Sequence, residues 1–295
     1  MSLTLPRSGR PFERDVLAAA DTWGAGRAGV ALLDREGLVA ERGSRDVALP
    51  WASVTKLVSA LTVLLGVDRG LVRLDDPAGP PGSTLRHLLA HASGLAFDDE
   101  TVISAPARTR IYSNSGFDEA AAVLERATGA PFDELVRGWV LGPLGMTGAM
   151  LEGRPSEGLR GTLRDLEALA YELLVPRVLP APVVALASAV AFPGLRGVLP
   201  GFGVQDPLDW GLGFEVRGTK SPHWTGTRNS PRTFGHFGGS GTFVWVDPDA
   251  GLALVALTDR TFGAWAVSAW PAFSDLVLVA AGGCRAGTPP RTPVA

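Results

Sequence analysis

The spacing of apolar residues changes period along the chain and divides it into stretches of different structure. Residues 12–23 carry apolar positions at helical intervals, and "AGVALLDREGLVAERG" then predicts two short strands joined by a turn at residues 34–37. After a loop, residues 53–67 form an almost unbroken apolar run that predicts a buried helix, followed by a proline- and glycine-rich break in "LDDPAGPPG". Helical spacing then dominates. "STLRHLLAHASG" predicts a short helix, and "SGFDEAAAVLERATG" and "APFDELVRGWVLGPLG" predict longer ones, the latter with Pro131 in its first turn. "GTLRDLEALAYELLVP" offers Thr162 as N-cap and stops at Pro176. Beyond about residue 205 the pattern is that of strands: "GLGFEV", "TFGHFGG" and "GTFVWVDPDAGLALVALTD", the last folded into a hairpin at residues 247–251. A final helix is expected over residues 264–281, disturbed at Pro271, and the tail "GTPPRTPVA" is expected to fray.

This order predicts a strand-bearing lobe made from both ends of the chain, residues 1–67 and 206–295. A mostly helical lobe, residues 68–205, is inserted between them, with the site expected in the cleft between the two. With 46% hydrophobic residues among 295, the chain has ample apolar surface for a core. No internal repeat is visible. The longest apolar runs, residues 57–67 and 276–281, fall short of the ~20 residues a membrane span needs. The N-terminal stretch "MSLTLPRSGRPFERDV" lacks the apolar core and cleavage site of a signal peptide, so a cytoplasmic location is expected. A lone cysteine, Cys284, excludes an intramolecular disulfide and a thiolate zinc cluster and fits a reducing compartment. The net charge is -3 and the basic residues are scattered, which argues against nucleic acid or an anionic membrane as partner. A small-molecule or peptide substrate is the expected partner; the composition leaves oligomeric state open.

Charge usage raises the chemical question. The 27 basic residues include only two lysines, Lys56 and Lys220, the rest being arginine. Lysine, unlike arginine, can lose its proton when desolvated and then act as a base. Ser53 stands three positions before Lys56, so on a helix the two side chains share a face, as a nucleophile and its base must. The ordinary alternative is an N-cap serine and a solvated lysine. Tyr112, one of two tyrosines, lies in "RIYSNSG" at the start of a helical stretch, where it can relay protons while Asn114 offers an amide to a substrate carbonyl; serine and asparagine are equally ordinary turn residues. In "FGHFGGSG" the glycines allow close approach to the backbone. The Gly239 N–H can complete an oxyanion hole with that of Ser53, and His236 points toward such a site, although a glycine-rich hairpin accounts for the same pattern. His87 and His91 are spaced i, i+4, but no adjacent glutamate or third ligand supports a metal site, and neither "GGSGT" nor "HASGL" completes a nucleophile elbow.

The ordered combination is more specific than its parts. Ser-Val-Thr-Lys at 53, Tyr-Ser-Asn at 112 and His-Phe-Gly at 236 resemble the three motifs of the serine beta-lactamase and penicillin-binding protein superfamily, nearest the class C enzymes and their D,D-peptidase and esterase relatives. "TLRHLLAHASGL" and "GTFVWVDPDAGLALVALTDR" are similar to further segments of that family, and the resemblance spans about residues 25–280. It implies an α+β, transpeptidase-like fold with an antiparallel sheet flanked by terminal helices and an inserted helical lobe. It also implies acyl transfer through an acyl-serine, with no metal or organic cofactor. By that resemblance Ser53 is the nucleophile, Lys56 and Tyr112 transfer protons, Asn114 contacts substrate, and His236 with Gly238 and Gly239 forms a wall of the site. Many beta-lactamases carry Lys-Thr-Gly where this chain has His236, Phe237 and Gly238. Loss of the fixed cation weakens recognition of a substrate carboxylate, which points to esters, amides or small peptides, with beta-lactam hydrolysis a minor activity. The alternatives are a beta-lactamase or D,D-carboxypeptidase proper, or a catalytically idle binding protein of the same fold.

Overall fold

The computed structural model describes residues 5–282; the tail expected to fray, and Cys284, lie outside the described residues. A 3-10 helix, Arg14–Trp23, precedes a hairpin of β1 (Ala28–Asp34) and β2 (Gly37–Gly43). Asp34 closes the turn, its Oδ1 accepting from the N–H groups of Glu36 at 2.9 Å and Gly37 at 3.1 Å. β3 (Leu49–Pro50) leads through a 3-10 turn, Ala52–Val54, into α1 (Thr55–Asp68). This helix is apolar on all sides because protein surrounds it: residues 55–66 are all buried.

α2 (Leu85–Leu89) begins in a capping box between Thr84 and His87, and α3 (Asn114–Thr128) begins at Ser113, whose Oγ accepts from the Gly116 N–H at 3.0 Å. α4 (Phe132–Val136) has Pro131 as its N-cap, one position outside the first turn expected for it. It passes into a π-helical turn, Arg137–Leu141, instead of continuing as one helix. β4 (Met150–Leu151) and β5 (Leu159–Gly161) form a small antiparallel sheet with β3. α5 (Leu163–Leu174) starts at Thr162 in a capping box with Asp165 and ends before Pro176, as the sequence suggests. α6 (Ala181–Ser188) and the hairpin of β6 (Gly197–Leu199) with β7 (Gly203–Gln205) are elements the apolar pattern does not predict. The remaining elements are β8 (Glu215–Val216), β9 (Phe234–Gly238), β10 (Thr242–Asp247), β11 (Leu252–Thr258) and α7 (Ala264–Ala280), which runs through Pro271 without ending there.

Six strands form one antiparallel sheet in the order β2-β1-β11-β10-β9-β8, so the two ends of the chain pair at its centre, Val30 opposite Ala256. Both faces are covered, which is why the strands read as apolar runs instead of alternating. On one face Ala31, Leu33, Val244, Val246, Val255 and Leu257 share a core with α1, α3 and α5. On the other, Val30, Leu32, Phe243, Trp245, Leu254 and Ala256 pack with Leu17, Trp23, Trp270 and Phe273 from the first and last helices. The antiparallel sheet, flanked by terminal helices and combined with helices from the middle of the chain, is the α+β arrangement that the motif resemblance implies.

Candidate active site

Ser53 lies in the 3-10 turn before α1, so the α-helix itself begins two residues later than the sequence suggests. Ala52, immediately before it, has φ 45°, a left-handed conformation that a residue with a Cβ adopts at a cost of about 1–2 kcal/mol and that clusters at functional sites. This turn packs against β9. The approach is close enough to require glycine: a Cβ on Gly238 would stand 2.3 Å from the Trp51 carbonyl oxygen and 3.3 Å from the Ser53 nitrogen. β8 pairs only with Phe234 and Gly235, so the outer edge of β9 from His236 onward has no ladder partner in the sheet and runs beside Ser53. Gly238 and Gly239 thereby bring the strand end to the candidate oxyanion position.

Lys56 follows one turn later and is wholly buried. Its Nζ donates to Asn114 Oδ1 at 2.6 Å and to the Ser156 carbonyl at 2.9 Å, and lies 3.4 Å from Ser53 Oγ. Burial lowers its pKa from 10.5 to about 7; the carboxylates of Glu157, Asp118 and Asp98 oppose the shift and the Arg154 guanidinium adds to it. A neutral amine has two N–H bonds and one lone pair. With two oxygen acceptors in place, the remaining tetrahedral direction is left for the Ser53 hydroxyl. The separation is long for a hydrogen bond, as is common before substrate arrives.

The Tyr112 ring lies 4.8 Å from Lys56 Nζ, and its hydroxyl is 3.4 Å from His236 Nε2. Burial raises the phenol pKa well above its usual 10, against a hydrogen bond with Ser53 that lowers it, so Tyr112 stays a neutral O–H. His236 Nδ1 donates to the Phe237 carbonyl at 2.6 Å, which leaves Nε2 as the acceptor facing Tyr112. Burial, reinforced by Lys56 and opposed by the Phe237 carbonyl, lowers the His236 pKa to about 3. Residue type alone suggests a group titrating near pH 6.5 and regaining positive charge in mild acid; burial overturns that, and His236 is neutral throughout the physiological range. Asn114 is held on both sides within the protein: its Oδ1 accepts from Lys56, and its Nδ2 donates one of its two N–H groups to Asp98 Oδ1 at 3.3 Å.

Ser53, Tyr112, His236 and Gly239 open on a cavity of about 220 Å³ whose other walls are Phe97, Leu199, Pro200, Trp210, Phe237 and Phe262. No charged side chain lines it. Apart from Phe237, which lies in the third motif on β9, sequence reasoning missed these apolar walls, and no local signal marks them, since they come from separate loops and from the unpredicted β6–β7 hairpin. It also missed Ser156, which contributes only a backbone carbonyl. The second lysine has a different role. Lys220 pairs with Glu215 at 3.0 Å in a buried cluster in which Glu215 also accepts from His223 Nε2 and Trp224 Nε1. Burial acts to raise the Glu215 pKa, but Lys220 and His223 hold it well below the ordinary carboxylate range. His87 and His91 do not share a helical face, because α2 ends at Leu89 and His91 has φ 54°. Among the described residues no group of three or more His, Cys, Asp or Glu is placed to hold a metal ion, and no helix is long and apolar enough to cross a membrane.

The family model described as Beta-lactamase matches residues 17–277. Among curated proteins none matches the chain. Among solved structures, a beta-lactamase from Mycobacterium bovis is 48% identical with a TM-score of 0.88, the match covering 90% of this chain and 99% of that one. Two more distant structures share the fold. A variant of simvastatin synthase from Aspergillus terreus is 17% identical, with a TM-score of 0.74 and coverage of 90% and 93%. A D-stereospecific amidohydrolase from Streptomyces is 19% identical, with a TM-score of 0.65 and coverage of 86% and 96%.

Proposed function

The chain belongs to the beta-lactamase family, and from that premise we propose that it is an acyl-transfer enzyme in which Ser53 is acylated by esters or amides with an apolar acyl group and deacylated by water. The observation that carries the reading is the coordination of Lys56. A buried amine near half-protonation at neutral pH, with both N–H bonds directed to fixed oxygens, presents its lone pair to the serine hydroxyl. In this mechanism Lys56 takes the Ser53 proton as Oγ attacks the carbonyl carbon, and the N–H groups of Ser53 and Gly239 stabilise the oxyanion. The tetrahedral intermediate collapses as Tyr112 donates its hydroxyl proton to the leaving group and is reprotonated by the Lys56 ammonium. Water then attacks the acyl-serine by the same transfers in reverse. Tyr112, held as a neutral phenol, is suited to the donor role and not to that of initial base. His236 is too weakly basic to serve as that base.

The cavity sets the acyl group. A ~150 Å³ apolar cavity admits benzene, so about 220 Å³ of aromatic and aliphatic wall suits an aryl or short branched aliphatic acyl chain. With His236 neutral and no charged wall residue, the pocket favours donors without a carboxylate beside the reacting carbonyl. The 48% identity to a structure described as a beta-lactamase supports a second reading, beta-lactam hydrolysis as the main activity. Reaction with a fluorophosphonate followed by mass spectrometry tests acylation: an adduct on Ser53 that disappears in Ser53→Ala is expected, and labelling elsewhere refutes the proposal. Comparison of p-nitrophenyl esters with nitrocefin then separates the two readings, the ester having the higher kcat/KM under the first.

A further inference from the structure

Two hydrogen-bonded chains begin on one guanidinium and end on the Lys56 amine. In the first, Arg154 Nη1 contacts Asp98 Oδ1 at 2.5 Å, the same oxygen accepts from Asn114 Nδ2 at 3.3 Å, and Asn114 Oδ1 accepts from Lys56 at 2.6 Å. In the second, Arg154 Nη2 lies 2.6 Å and Nε 2.8 Å from Asp118 Oδ2, while Asp118 Oδ1 accepts from the Ser156 N–H at 3.0 Å. The carbonyl of that same Ser156 accepts from Lys56 at 2.9 Å. Arg154 and Ser156 lie in one loop, which Ser59 further anchors by donating to the Pro155 carbonyl at 2.6 Å.

The chemistry of each link fixes its direction. A carboxylate only accepts, so Asp98 must face the amide nitrogen of Asn114, and the amide oxygen is then turned to Lys56. A forked guanidinium can hold two carboxylates at once in a way an ammonium cannot. We propose that Arg154 is a positioning residue for acyl transfer: by clamping Asp98 and Asp118 together it fixes the two acceptors that aim the Lys56 lone pair at Ser53. The inference rests on the reading of Ser53 as nucleophile and Lys56 as its base.

The clamp also sets the field at Lys56. The groups facing that amine are Tyr112, His91 and His236, which are neutral, together with Asp98, Asp118, Glu157 and Arg154. Removing the guanidinium withdraws a cation that disfavours the ammonium and leaves Asp98, Asp118 and Glu157, the last 3.6 Å from Arg154 Nη1, uncompensated, so Lys56 becomes more basic. Replacing Asp98 by the isosteric asparagine does the reverse while preserving an acceptor for Asn114.

The test measures the rate of Ser53 labelling by a fluorophosphonate and of p-nitrophenyl ester hydrolysis from about pH 5.5 to about pH 9.5 in wild type, Arg154→Gln, Arg154→Lys and Asp98→Asn. Ser53→Ala serves as control, and thermal melts check folding. Failure of the wild type to label at Ser53 sinks the underlying functional reading. If labelling occurs, the proposal expects Arg154→Gln to move the acidic midpoint up by about half a pH unit or more. Asp98→Asn should move it down, and Arg154→Lys should lie between wild type and Arg154→Gln. A uniform rate loss in Arg154→Gln with the midpoint unmoved, or a shift of Arg154→Gln and Asp98→Asn in the same direction, overturns it. Should Arg154→Gln not fold, the downward shift of Asp98→Asn decides alone.

Discussion

A lysine held near neutrality inside the protein must destabilise the fold at the pH where it works, and Lys56→Met tests this directly. The lowering of its pKa from 10.5 to about 7 corresponds, at 1.36 kcal/mol per unit, to a penalty of about 4–5 kcal/mol at pH 7. Between those two values the unfolded chain carries a proton on Lys56 that the folded protein lacks, so this group's contribution to stability rises with pH across the window. The penalty is full below about pH 7 and relieved as pH approaches 10.5. Methionine removes the titration but strands the Asn114 oxygen and the Ser156 carbonyl, each at a cost of about 1–3 kcal/mol, so the absolute difference between the proteins mixes two effects. Its pH dependence does not. Urea denaturation of both proteins should show the stability of Lys56→Met relative to wild type falling by about 2 kcal/mol between about pH 7 and about pH 9. Groups common to both proteins cancel in that difference. A pH-independent difference, or a relative stability of Lys56→Met that rises with pH, would refute the claim that Lys56 is neutral in the folded protein near pH 7.

Three further outcomes follow from the same geometry. Lys56→Arg keeps the charge but supplies no removable proton, and should reduce the Ser53 acylation rate by about a thousandfold or more with the fold retained by circular dichroism. Because His236 is held neutral with a pKa of about 3, the ratio of nitrocefin to p-nitrophenyl ester turnover in the wild type should not respond to His236 between about pH 5.5 and about pH 8.5. His236→Lys should raise that ratio about tenfold, measured by steady-state kinetics on both substrates. Gly238→Ala places a Cβ against the Trp51 carbonyl and pushes β9 from the Ser53 turn; it should lower kcat for ester hydrolysis by about a hundredfold with little change in KM.

Elements set by local chemistry were legible in the chain, and those set by distant partners were not. The Thr162 cap and the turn at Asp34 act over three residues or fewer and stand where the pattern placed them, whereas Ser113 starts α3 at Asn114, one residue before the helix read from "SGFDE". "GLGFEV" reads as a six-residue strand, yet only Glu215 and Val216 pair. Its backbone is engaged elsewhere: Leu212 N–H donates to the Ala187 carbonyl and Gly213 N–H to the Leu89 carbonyl. Gly213, at φ 91°, lies so close to α1 that a Cβ would stand 2.2 Å from Ala60. β3, β4, β6 and β7 are strands of two or three residues, too short for a period to register. The motif residues could be named from their order in the chain, whereas the titration of His236 and the engagement of Asn114 depend on burial and neighbours from three separate segments.

The contrast between Lys56 and Arg110 shows why the one residue type cannot replace the other. Both are buried, and both direct their N–H groups mainly at uncharged oxygens. Arg110 donates to the carbonyls of Leu208 at 2.9 Å, Ala90 at 2.5 Å, Ala191 at 2.9 Å and Phe192 at 3.0 Å. Burial lowers its pKa only to about 10, so it remains a cation that fastens four backbone segments together. The same kind of surroundings carries Lys56, whose ammonium starts lower and loses more on desolvation, to about 7. Had Asp98 or Asp118 contacted its Nζ directly, the carboxylate would have opposed loss of the proton, as Glu215 does at Lys220 even though burial still lowers that pKa. Instead the Asn114 amide and the Ser156 backbone stand between the carboxylates and the amine. Those two intermediaries hold Lys56 without forcing it to keep its proton, as the proposed role of base requires.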